Sequence, residues 1–213
     1  TNPDQEDYPS DPASTSGPLL QALDLQLAQI AAVHPSAMPG LDSQNPAETN
    51  APIVVWCFKD GRRGHENQSL GLLEALAENR RVDIHDVVVE RRTFVDWWRV
   101  TTGRFPPGGT LPAPTFHLGA GQRTHLPMLA AMRARGGKTI VLMNPSLPQA
   151  WFDLCIVPEH DNDQTKPNVL ATRGVLNRLR PGAGASPTKG LILIGGPSPH
   201  YHWSESKLRD QIG

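Results

Sequence analysis

From residue 51 onward, short apolar runs alternate with stretches whose apolar residues recur at helical spacing. This alternation constrains the chain more than any other feature it has. Parallel strands need a long crossover between them, and a helix is the usual one. The pattern predicts strands at Ile53–Phe58, Val82–Val89, Thr115–Leu118, Thr139–Met143 and Leu154–Val157. It predicts helices over about 66–79, 93–100 and 123–135. Several runs are apolar at every position, so both faces of their strands must be covered. The fold class that follows is α/β: a Rossmann-like parallel sheet with helices on both faces.

The flanks read differently. Residues 1–50 contain seven acidic residues and no lysine or arginine, with many prolines and serines. Such a segment cannot bury enough apolar surface to offset its ordering entropy, and it reads as disordered. Within it, Leu19, Leu20, Leu23, Leu27 and Ile30 keep helical spacing, which suggests a short helix over 18–33. Residues 51–180 form the expected Rossmann-like domain. Pro181 to Pro187 is rich in glycine and proline and marks a linker over 181–189. The run "GLILIGGPSPHYHW" then opens what reads as a second α/β domain, 190–213, cut short at Gly213.

Charge and cysteine usage narrow the function. With seven of the 21 acidic residues and none of the 20 basic ones in the first fifty, the body carries 20 − 14 = +6. That excess suits an anionic small molecule. Nucleic acid is not expected, because no basic cluster interleaved with aromatics and no reader motif is present. No apolar run approaches the roughly 20 residues of a membrane helix. Cys57 and Cys155 lie inside strand-like runs and read as buried reduced thiols. Localisation reads as cytoplasmic, with a peripheral place at a membrane as the alternative.

In parallel sheets ligands gather at the carboxyl ends of the strands. The first such loop is Asp60-Gly-Arg-Arg-Gly-His-Glu-Asn-Gln68. Gly61 and Gly64 permit close backbone approach. Arg62, Arg63 and the start of the next helix offer positive charge to a phosphate. His65 can take or give a proton near neutral pH. An ordinary turn capped by Asn67 or Glu66 is the competing reading. The second loop, His117 to His125, carries Gly119, Gly121, Gln122, Arg123 and Thr124. By itself it reads as a turn with Thr124 as helix cap, but two such loops in one sheet favour a cleft. The third is Pro158-Glu159-His160-Asp161, where a carboxylate could orient a histidine or help hold a metal. A metal shared by these and His65, His117 and His125 lacks any tight ligand spacing, and none is expected. The fourth is Gly195-Gly196-Pro197-Ser198. Phe94, Trp97 and Trp98 share one helix face among Arg91, Arg92, Arg99 and Arg104. Packed core is the expected role of that stripe, with contact to an anionic membrane through Trp97 and Trp98 as the alternative. Phe105 to Gly109 reads as a mobile loop.

Taken together, "DGRRGHENQSLGL", "LGAGQRTH", "VLMNPS", "FDLCIVPEHD", "NVLATRGVLNRL" and "LIGGPS" resemble the elongated-mitochondria (mitochondrial fission) family in order and spacing, over about Ile53 to Trp203. Bacterial members of that family are described as nucleoside-diphosphate-sugar epimerases or glycosyltransferase-like proteins. The resemblance implies a GT-B-like architecture of two Rossmann-like domains. The first would hold the acceptor, and the second the nucleotide sugar. By position it implies that Asp60, Gly61, Gly64, His65, Asn67 and Gln68 form the signature loop. Gly119, Gly121, Arg123 and Thr124 form the second, and Glu159, His160 and Asp161 the third. Gly195, Gly196 and Ser198 open the donor domain.

The function this suggests is metal-independent transfer of a sugar from a UDP- or GDP-linked donor to an acceptor hydroxyl, with no cofactor required. His65 would be the general base, with Glu159 or Asp161 orienting or assisting it. Arg62, Arg63 and the glycine loops would hold the diphosphate. A nucleotide-sugar epimerase, a non-catalytic binding protein at a membrane surface and a metal hydrolase are the rival readings.

Overall fold

A computed structural model describes residues 52–90, 93–161, 166–179 and 204–212. The chain divides into two compact units, Thr1–Arg180 and Pro181–Gly213. In the first unit the elements follow in the order β1 (Ile53–Lys59), α1 (Arg63–Ala77), β2 (Val82–Val88), α2 (Thr93–Thr102), β3 (Phe116–Ala120), α3 (Gln122–Arg135), β4 (Lys138–Leu142), β5 (Leu154–Pro158) and β6 (Val169–Thr172). In the second unit the described element is α4 (Glu205–Ile212). The segment 1–50 with its helix over 18–33, the 181–189 linker, and Gly195, Gly196 and Ser198 lie outside the described residues.

The six strands form one sheet in the order β2-β1-β3-β4-β5-β6, and every pairing is parallel. The α/β class and Rossmann-like arrangement hold. The side-chain alternation of the strands divides the core in two. Val55, Cys57, Phe116, Leu118, Ile140, Leu142, Leu154 and Ile156 face Leu72, Leu73 and Leu76 of α1. Trp56, Phe58, Val141, Cys155 and Val157 face Met128, Leu129, Ala130 and Ala131 of α3, together with Phe105. All of β3, β4 and β5 is buried, which explains why apolar residues fill both of their faces. Cys57 and Cys155 are unpaired and buried, in opposite core layers. Burial pushes the Cys57 thiol up to about 11 and that of Cys155 up to about 12.

Three differences from the sequence reading have physical causes. β6 was not expected. It is four residues long, and Asn168 starts it by donating to the carbonyls of Gln149 and Phe152 at 2.8 and 2.9 Å. Helix α1 begins at Arg63, so His65 lies in its first turn instead of a loop. The stretch Phe105–Gly109 is held. Phe105 is buried and Gly108 lies under the Trp56 ring. The Arg135 guanidinium donates to the carbonyls of Gly108 and Leu111, each at 2.8 Å.

His117 and His125 are core residues. His117 lies within β3, edge-on to Trp56, and its Nε2–H donates to the Gly136 carbonyl at 2.7 Å. Its Nδ1 is buried without a partner. His125 sits in α3 between Phe152 and the Ser146 hydroxyl. Desolvation lowers each imidazole to about 4, against about 6.5 in an unfolded chain. Between those values the unfolded chain binds more protons than the folded one, so stability falls as pH drops from about 6.5 toward 4. Chemical denaturation is expected to show an unfolding free energy lower by about a few kcal/mol at pH 4.5 than at pH 7. The slope should be shallower in His117→Gln, whose amide can keep the bond to Gly136. An equal slope would rule out His117 as a source.

Candidate functional site

The chain leaves β1 for β2 on one side and later returns to β3 on the other. The crevice between the carboxyl ends of β1 and β3 is therefore the point where strand order reverses, the usual ligand site of an open α/β sheet. The loops that follow these two strands meet there.

Lys59, the last residue of β1, pairs with Asp86 of β2. Gly61 follows Asp60 with φ +79°, a left-handed turn that redirects the chain into α1. No side chain caps α1. The Asp60 carboxylate is 1% exposed and has two donors. Its Oδ1 accepts the Arg62 backbone N–H at 3.1 Å, and its Oδ2 lies 2.9 Å from Nδ1 of His65. An ionised carboxylate can only accept, so the proton sits on Nδ1 of His65. Nε2 is then the nitrogen with a lone pair, on a side chain that is 20% exposed.

The β3 loop completes the seat of this histidine. Gly121 has φ +86°, and a Cβ added to it would stand 2.3 Å from Cε1 and Nδ1 of the His65 ring. Thr124 donates both its N–H and its hydroxyl to the Gly121 carbonyl, at 3.1 and 2.8 Å. Thr124 is fully buried, and Gly121 occupies the helix cap expected of Thr124. Gly119 serves packing: a Cβ there would lie 2.5 Å from Sδ of Met128 and 2.7 Å from Oγ1 of Thr124. Gly119 and Thr124 thus fix α3 against β3, and Gly121 fixes His65.

The remaining residues surround this pair. Arg62, Arg63, Gly64 and Asn67 are exposed at the start of α1, and Arg123 is exposed at the start of α3. Both helices direct their positive ends to this edge. Open space adjoins Gly61 and Gly64. Gln68 donates to Sδ of Met143 at 3.3 Å. Met143, just past β4, has φ 72°, a conformation that is uncommon for a residue with a Cβ. Such strain gathers at ligand sites, and the sequence reading did not single this residue out. Glu159, His160 and Asp161 form an exposed 3-10 turn after β5. Three strand spacings, about 14 Å, separate β5 from β1. Asp60 is the carboxylate on His65, in the role the sequence reading gave to Glu159 or Asp161. The Asp161 carbonyl instead accepts from Asn144 at 3.2 Å, joining the β4 and β5 loops.

His117 and His125 are buried in the core. Among the described residues no group of three or more His, Cys, Asp or Glu side chains is arranged to hold a metal. The opposite edge of the sheet contrasts with this one. There Asp153 accepts from Lys138 and from the N–H and hydroxyl of Thr139, all within 3.0 Å, in a closed network that joins β4 to β5.

Gly121→Ala should expel the His65 ring from Asp60. The expected cost is about 1–3 kcal/mol of stability, with loss of the Nδ1–H signal of His65 by NMR. Retention of both would show that the ring has another seat.

The family model for Mitochondrial fission ELM1 matches residues 63–213. No curated protein and no solved structure matches the chain. The matched span begins in the first turn of α1 and takes in His65, Gly121 and the Glu159–Asp161 turn. It covers more than half of the 213 residues, and the chain belongs to the mitochondrial fission ELM1 family.

Proposed function

We propose that this protein transfers a sugar from a nucleotide-sugar donor to an acceptor hydroxyl held by the Thr1–Arg180 unit. The observation that carries this reading is the Asp60–His65 pair at the strand-order reversal, with Nδ1 of His65 2.9 Å from Oδ2 of a buried carboxylate. Membership of the family supports a GT-B-like architecture. In that architecture the first domain would meet the acceptor, and the donor domain would begin near Gly195, Gly196 and Ser198.

A neutral histidine whose Nδ1–H is fixed on a carboxylate has Nε2 free to accept a proton, and the imidazolium that forms is stabilised by the same carboxylate. The acceptor hydroxyl gives its proton to Nε2 as its oxygen bonds to the anomeric carbon. The bond from that carbon to the diphosphate oxygen breaks, and the nucleoside diphosphate leaves with the electron pair. Arg62, Arg63 and Arg123, with the start of α3, would offset the charge that develops on it. Asp60 also bears on ligand placement. A carboxylate at the start of α1 partly cancels the positive helix end, so the space over His65 suits a hydroxyl better than a phosphate. The diphosphate is better served by the exposed arginines. Gln68, Asn67, Glu159, His160 and Asp161 would contact the acceptor's polar groups along the same edge.

The test is release of nucleoside diphosphate from UDP- and GDP-sugars by the full-length protein, with hydroxyl acceptors present. His65→Ala is expected to lower turnover by about 10²–10⁴-fold. Asp60→Asn should lower it in the same direction and by less, since the histidine remains. Interconversion of the sugars without release would identify an epimerase, and turnover undiminished in His65→Ala would overturn the assignment of the base.

A further inference from the structure

The face built from α2, α3 and the β4–β5 connection has a composition unlike the rest of the molecule. From Arg91 to Arg135 the sequence holds seven arginines and one acid, Asp96, and no acid follows until Asp153. That single acid is buried and accepts from Arg99 at 3.3 Å. The exposed cations of this face include Arg104 and Arg133.

Helix α2 is turned opposite to the usual sense of an amphipathic surface helix. Its inner side carries the charged Asp96–Arg99 pair beside Val100. Its outer side carries Phe94, Trp97 and Trp98, at i, i+3 and i+4, with 94%, 42% and 53% exposure. Val95 is exposed beside them. Trp151 of the β4–β5 connection meets Trp97 edge-on, with ring centroids 6.4 Å apart, and is itself 46% exposed. The packed-core role expected for this stripe is therefore overturned. Its aromatics face water.

We infer that this face docks on an anionic lipid surface. The aromatics enter the interfacial layer, and the arginines meet lipid phosphates. A helix that lies in the membrane plane combines these same two elements, Trp and Phe on one face and basic residues around it. No helix among the described residues is long and apolar enough to cross a bilayer, and the proposed contact is with the membrane surface. Charge selects the partner. Exposed aromatics with Arg104 and Arg133 nearby, and Glu90 at the rim, gain most from a dense layer of phosphates, an attraction that salt screens. Helix α2 follows the carboxyl end of β2, so it starts at the sheet edge that carries Asp60 and His65. Docking through it brings that edge near the lipid headgroups. Such docking does not require the proposed transferase activity.

The test is co-sedimentation of the full chain with vesicles of phosphatidylglycerol and phosphatidylcholine, compared with phosphatidylcholine alone, at low and high salt. Binding is expected on the anionic vesicles, with a blue shift of tryptophan fluorescence, and it should weaken with salt. Phe94→Ser with Trp98→Ser should weaken it by about tenfold per aromatic removed, while thermal unfolding stays unchanged because both side chains are exposed. Arg104→Glu with Arg133→Glu should abolish the preference for anionic lipid. Absence of vesicle binding, binding undiminished in the aromatic variant, or aromatic-dependent binding to a second copy or to RNA in place of vesicles would each overturn the inference.

Discussion

Burial of the central strands on both faces is the constraint on which the rest of the molecule depends. With every residue of β3, β4 and β5 out of water, the backbone of those strands must be satisfied by parallel neighbours. Each crossover must then cover a face. α1 covers one with Leu72, Leu73 and Leu76, and α3 covers the other with Met128, Leu129, Ala130 and Ala131. α3 can lie this close because Gly119 leaves room for Met128 and Thr124. That closeness brings Gly121 to the His65 ring, so a packing requirement of the core fixes the geometry of the crevice.

The two edges of the sheet spend their polar groups differently. At the amino edge, Asp153, Lys138 and Thr139 satisfy one another. At the carboxyl edge, Asp60 is satisfied, and it fixes a histidine whose second nitrogen has no hydrogen-bond partner among the described residues. Exposed arginines and two uncapped helix starts adjoin it. A histidine oriented by a buried carboxylate, beside exposed cations, is the feature on which the proposed site rests.

Much of the fold was legible because periodicity is a local record of burial. The five apolar runs became strands within two residues of the expected ends, and three helices followed their spacing. β6 escaped because four residues carry too little pattern, and its strand character comes from pairing with β5. The site was half legible. The glycine-histidine loop announced itself by composition. That Asp60 would be the partner of His65 was not evident, since a strand-ending acid reads equally as a turn residue. Glu159 and Asp161 looked suitable only because their distance along the sheet is invisible in a linear chain.

The sequence by itself determined the parallel α/β sheet, the sheet edge that carries the glycine loops, and the residues available there, because these depend on spacing and side-chain type. The tertiary structure alone decided which of those residues meet. Strand order put β1 beside β3 and left β5 three positions away, so His65 found Asp60 and Gly121. It also turned Phe94, Trp97 and Trp98 outward by burying the Asp96–Arg99 pair beneath α2. A helical stripe specifies a face. Which way that face points depends on what the rest of the fold offers to pack against it.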